Sequence, residues 1–135
     1  DILYEGKEVD FETLKTIHAC KTGALIKASV LIPAVLAEED KIIIDAMEEY
    51  GENIGTAFQI IDDVLDVTAS SDDLGKTAGK DEKADKLTYV KIFGVEKALE
   101  IAGSHINTAI SSLSSIEHDS GFLIETAKLI LNRRN

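Results

Sequence analysis

At 135 residues the chain fits one domain with enough core to fold. Ala, Ile and Leu dominate an apolar content of 44%, with 5% aromatic residues and no Trp, which favours helices packed through small residues over a sandwich or barrel. A net charge of −11 argues against a nucleic-acid groove, which needs clustered Lys and Arg.

Acidity does not exclude phosphate ligands, because a bound metal ion reverses the local sign. Cys20 is the only cysteine, so no internal disulfide is possible and a reducing cytoplasm fits. No unbroken run reaches the roughly 18 apolar residues of a membrane span, and no secretory signal precedes Asp1. A soluble chain is the expectation. It opens without Met, and residues 1–10 mix acids, Gly and apolar residues as a loop does, so a fragment or processed chain is expected there.

Asp10-Phe11-Glu12-Thr13 predicts an N-cap and an acidic first turn. Leu14, Ile17, His18, Leu25, Ala28 and Ile32 then keep a helical apolar period to about Ala37. Pro33, the only proline, predicts a kink or a break near Ile32. Glu38-Glu39-Asp40 is a polar turn that caps a second long helix, from about Lys41 to Val67. Ile43, Met47, Tyr50, Ile54, Phe58, Ile61 and Leu65 face inward there. Gly51 and Gly55 each cost about 1 kcal/mol relative to Ala, so close packing is the reason to keep them.

From Thr68 to Lys86 the pattern collapses into a long polar loop, of the length that is functional or disordered in compact domains. Leu87 to Gly94 predicts a short helical turn. Val95 to about Ile116 is a third helix, with Ala98, Ile101, Ala102, Ile106, Ala109, Ile110 and Leu113 on one face. His118 to Gly121 turns into a final helix, Phe122 to Asn132. The whole predicts an all-α antiparallel helical array without internal repeats.

The chemistry gathers at Phe58-Gln59-Ile60-Ile61-Asp62-Asp63-Val64-Leu65-Asp66. Gln59, Asp62 and Asp66 follow at i, i+3 and i+7 along one helix edge, and Asp63 lies about 100° further round. Asp62 and Asp66 repel at i,i+4. With the helix ending near Val67, the carboxylates also meet its negative end, each unfavourable by roughly 0.3–1 kcal/mol. A divalent cation compensates both. Magnesium takes oxygen ligands, commonly one or two carboxylates plus waters and substrate phosphates. A solvated acidic helix end is the plain alternative.

Leu74-Gly75-Lys76-Thr77-Ala78-Gly79-Lys80-Asp81 resembles a P-loop only superficially, because the spacing is one short and a helix precedes it. Its lysines, with Lys83 and Lys86, suit a diphosphate held between metal and ammonium groups, with solvated loop charge as the plain alternative. Lys21-Thr22-Gly23 places a cation and a hydroxyl inside the first helix, where a surface lysine is the simpler reading. His18, His105 and His118 show no paired metal spacing and read as structural. Arg133-Arg134 suits the negative end of the last helix, or else a tail folding over a phosphate site.

Taken in order, these segments resemble the C-terminal half of the trans-isoprenyl diphosphate synthases, the farnesyl and geranylgeranyl diphosphate synthase family. The resemblance rests on Lys21 to Leu25, Phe58 to Asp66, Leu74 to Asp81, Ala84 to Tyr89 and Phe93 to Ala98, and so runs over nearly the whole chain. It implies helices around a deep cavity in which an allylic diphosphate is joined to isopentenyl diphosphate by ionisation, condensation and proton loss. It also implies that Asp62, Asp63 and Asp66 form the second of two aspartate-rich motifs holding Mg2+. Lys21, Lys76 and Lys86 match lysines that grip the diphosphate. Thr22 and Gln59 match residues near the carbocation or diphosphate, and Asp81 one near the metal waters.

The family's first aspartate-rich motif and its upstream isopentenyl-binding basic residues have no counterpart here, and Asp72-Asp73 lies in the loop. Residues 1–135 therefore read as the C-terminal portion of a polyprenyl synthase domain, inactive alone, from a parent that is commonly a homodimer. The alternative is a non-catalytic helical subunit or regulatory module of a heteromeric prenyl synthase. A plain acidic interaction domain leaves the ordered motifs unexplained.

Overall fold

The computed structural model describes residues 10–72 and 88–133. Lys76, Asp81 and Lys86 lie outside the described residues. Within them every regular element is helical: α1 (Phe11–His18), a π turn (Ala19–Gly23), α2 (Ala24–Leu36), α3 (Lys41–Asp72), α4 (Tyr89–Phe93), α5 (Val95–Ser112), a 3₁₀ turn (Leu113–Ser115) and α6 (Gly121–Leu131).

The caps are local chemistry. Asp10 accepts from the Thr13 N–H at 2.8 Å, Asp40 from Ile43 N–H at 3.0 Å and Thr88 Oγ1 from Lys91 N–H at 3.2 Å, each satisfying a donor that the helix start leaves open. At the end of α2 the Glu39 N–H reaches Ala34 O and the Glu38 N–H reaches Val35 O, at 3.2 and 3.1 Å. That is a Schellman closure, and Glu38 holds the left-handed position at φ 56° that glycine usually fills.

α3 is the axis of the molecule, packed between α2 and α5 with α6 against both α3 and α5. Because two helices flank it, α3 buries more than one stripe. Tyr50, Ile54, Ala57, Ile60, Ile61 and Val64 are all buried, whereas Phe58 and Leu65 are only partly so. The small residues Ala98, Ala102 and Ala109 of α5 let its backbone approach α3. Tyr50 spans the core to donate to Leu123 O at 2.7 Å, which ties α3 to α6, and burial pushes its phenol up to about 12.

The contact between α2 and α3 is a backbone seam. A methyl built on Gly55 would sit 2.7 Å from Gly23 Cα, and one on Gly51 would sit 2.8 Å from Lys27 Cα. Lys27 then closes the seam at its edge, donating to Glu48 and Glu52 at 2.6 Å each.

Of the two readings of Pro33, the break near Ile32 falls away, since α2 runs to Leu36 as the apolar period implies; the π turn, one residue wider than an α turn, is an irregularity that the sequence did not mark. Two expectations change. α3 continues past Val67 to Asp72, so Asp62, Asp63 and Asp66 are not in its last turn and the end-of-helix penalty largely lapses, while their mutual repulsion stays. Lastly, α1, the π turn and α2 join into one helix, Phe11–Leu36, that is long and apolar enough to cross a membrane by length and composition, at a mean hydropathy of 1.5. The sequence contains no unbroken apolar run because Lys21 and Lys27 interrupt it, yet the helix tolerates both. Its apolar side chains are largely uncovered: Leu25 is 71% exposed and Leu36 78%, with Ile32 and Val35 also exposed.

Candidate functional site

α2 and α3 run antiparallel, with Lys27 against Gly51 and Gly23 against Gly55. The same register carries Gln59, Asp62 and Asp63 past the π turn and the last turn of α1. By that register Lys21 and Thr22, both in the π turn, stand opposite Ala57 and Thr56, more than a turn short of the aspartates. The charge of Lys21 reaches Asp63, where it favours the ionised carboxylate.

The three aspartates do not share one environment. Asp63 is turned toward α4 and accepts from the Tyr89 N–H at 3.3 Å. Burial, the largest influence, pushes its carboxyl up to about 6; the Tyr89 N–H works against this, and Asp62 and Asp66 add to it. Tyr89 in turn belongs to an aromatic group with Phe11 and Phe93, whose rings meet edge-on at centroid distances of 5.4 Å. Asp63 therefore anchors α4 to α3.

Asp62 and Asp66, one turn apart, remain open to solvent, Asp62 about half so and Asp66 exposed. Arg133 Nη1 lies 3.5 Å from Asp62 Oδ1, and its guanidinium sits 5.2 Å from the Phe58 ring centroid. Of the two readings of Arg133, the dipole of the last helix or a folded-over tail, this contact with the aspartate edge of α3 lies nearer the second.

Gln59 is the one polar residue in the described core, at 6% exposure, and it has no hydrogen bond among the described residues. A buried amide without partners costs about 1–3 kcal/mol, so such a group needs an explanation beyond packing. It lies one turn before Asp62 and Asp63.

The donor set fits magnesium. Asp62 and Asp66 offer carboxylate oxygens from one helix edge, and among the described residues no three His, Cys, Asp or Glu side chains converge into a closed cage. An open pair of carboxylates suits an ion that keeps waters and shares ligands with a phosphate, and does not suit a structural zinc centre.

The polyprenyl synthetase family model matches residues 1–120, and the chain belongs to that family. Relatives include a geranylgeranyl diphosphate synthase of Cyanophora paradoxa, 41% identical over 136 residues that cover 100% of this chain and 45% of that protein. A dimethylallyltranstransferase of Fischerella ambigua is 42% identical over 127 residues, 94% of this chain and 37% of that protein. Among solved structures, an FPP/GFPP synthase from Zymomonas mobilis superposes with a TM-score of 0.79 at 30% identity, covering 96% of this chain and 42% of that one. The chain thus spans less than half the length of the curated relatives it matches, and the all-α fold is that of its structural neighbours.

Proposed function

We propose that this chain is the C-terminal portion of a prenyl diphosphate synthase domain and supplies the second aspartate-rich motif of its active site. The whole enzyme would condense an allylic diphosphate with isopentenyl diphosphate, as a homodimer in a reducing compartment such as the cytoplasm. The observation that carries the reading is Gln59, buried and without a hydrogen bond among the described residues, one turn before Asp62 of the open carboxylate pair Asp62 and Asp66.

Asp62 and Asp66 would hold Mg2+, with Asp63 behind them and Asp81 near the metal waters. Bound Mg2+ supplies neutralisation of the diphosphate as it leaves. Lys21, Lys76 and Lys86 would grip that diphosphate, so that developing negative charge meets fixed ammonium groups. Thr22 and Gln59 present a hydroxyl and an amide beside the reacting end, where their dipoles orient the allylic group. The apolar surface around them keeps water from quenching a carbocation. The first aspartate-rich motif would come from the remainder of the domain. That remainder is also the natural cover for Leu25, Ile32, Val35 and Leu36 on α2.

The test is calorimetric titration of the chain with a bisphosphonate, with and without Mg2+. Magnesium-dependent binding that Asp62→Asn with Asp66→Asn removes is the expected result, alongside no prenyl transfer by the chain alone. Binding indifferent to magnesium and to both substitutions would overturn the reading. Partner binding that persists without magnesium or turnover would favour a non-catalytic subunit of a heteromeric synthase.

A further inference from the structure

Asp62 and Asp66 are equivalent in sequence but not in surroundings. Arg133 holds Asp62 through Nη1 at 3.5 Å, while Asp66 has no ion pair among the described residues. The arginine is delivered there by the backbone. Asn132 caps α6, its N–H and Nδ2 both reaching Lys128 O at 3.1 and 2.9 Å, and the Arg133 N–H reaches Ile130 O at 3.4 Å. Leu131, just before, packs against both core clusters. The guanidinium also lies over Phe58, one turn before Asp62 on the same stripe of α3. Ring and carboxylate together form a seat for one planar cation.

We propose that Arg133 is the resident counter-ion of Asp62, and that a divalent cation binding the aspartate pair has to displace it. The inference rests on the cation site proposed above and adds its regulation from the C-terminal end. A cation on the pair and Nη1 would compete for the Asp62 carboxylate. The pair is about half exposed on both sides, so the competition is of the size that a surface ion pair commands, about two- to fivefold in affinity.

The experiment is Mn2+ titration of the full chain followed by electron paramagnetic resonance at low salt, with circular dichroism to check the fold. Arg133→Gln is expected to bind Mn2+ about two- to fivefold more tightly than the unaltered chain, with the gain shrinking as salt rises. Arg133→Lys keeps the charge and is expected to stay within twofold of the unaltered chain. Lys128→Gln, which removes the same charge from the outer face of α6, controls for net charge and is expected to leave the affinity nearly unchanged. Equal affinities for Arg133→Gln and the unaltered chain, or an equal gain in Lys128→Gln, would overturn the counter-ion. Absence of Mn2+ binding in every variant would instead overturn the cation site itself, and the counter-ion with it.

Discussion

Replacing Gln59 with Met separates a functional amide from a structural one. Gln59 is 6% exposed and makes no hydrogen bond among the described residues, so its amide loses water on folding and gains nothing for it there. That loss is about 1–3 kcal/mol. Met has nearly the same length and helix propensity and carries no group that needs a partner. Some of the gain is lost to imperfect packing of the new side chain in the core, which leaves a net stabilisation of about 1–2 kcal/mol. With an unfolding entropy of roughly 2.1 cal/mol/K per residue, that raises the Tm by about 4–7 °C. Thermal and urea denaturation followed by circular dichroism measure the change, and magnesium-dependent bisphosphonate binding should weaken in the same variant. A variant less stable than the parent by 1 kcal/mol or more would show that the amide is bonded in solution, and the reasoning would fail.

Other consequences are more local. Gly55→Ala should destabilise by about 1–3 kcal/mol, because the added methyl meets backbone at Gly23 that cannot step aside. Gly103→Ala, with nothing within 4 Å of the new methyl, should instead stabilise α5 by about 0.5–1 kcal/mol in the same denaturation assay. Glu38→Gly relieves the left-handed backbone at the end of α2 and should add about 1 kcal/mol to the unfolding free energy. His105, whose Nδ1 lies 2.8 Å from Asn53 Oδ1, has its pKa lowered by burial. Its neutral form is therefore the one that the fold prefers: its contribution is present above its ordinary 6.5 and is lost as pH falls through the lower folded value. Urea unfolding from pH 7.5 to 5 should accordingly decline less steeply in His105→Gln than in the parent.

Much of the fold was legible because helix starts are written in single side chains. Asp10 and Asp40 cap as their positions imply. The alanines of α5 fall on its buried face at the period expected. The buried surface of α3 was harder to read. A single stripe through Ile54, Phe58, Ile61 and Leu65 presumes one neighbour, whereas α3 has two and so buries Ala57, Ile60 and Val64 as well. The π turn leaves no compositional mark, since it shifts the helical phase without changing which residues are present. Of the site, the aspartate edge followed from spacing. That Asp63 turns away to hold the Tyr89 N–H depends on a partner 26 positions later, which no local pattern encodes.

The glycine seam between α2 and α3 fixes the separation of the two helices, and with it that of Lys21 from the aspartates, by close main-chain approach. Side chains elsewhere on either helix could be exchanged, to accept a different neighbour, without altering how far Lys21 stands from the aspartates. Shape and charge can thus diversify independently in such a scaffold, with three side-chain-free positions, Gly23, Gly51 and Gly55, acting as the gauge.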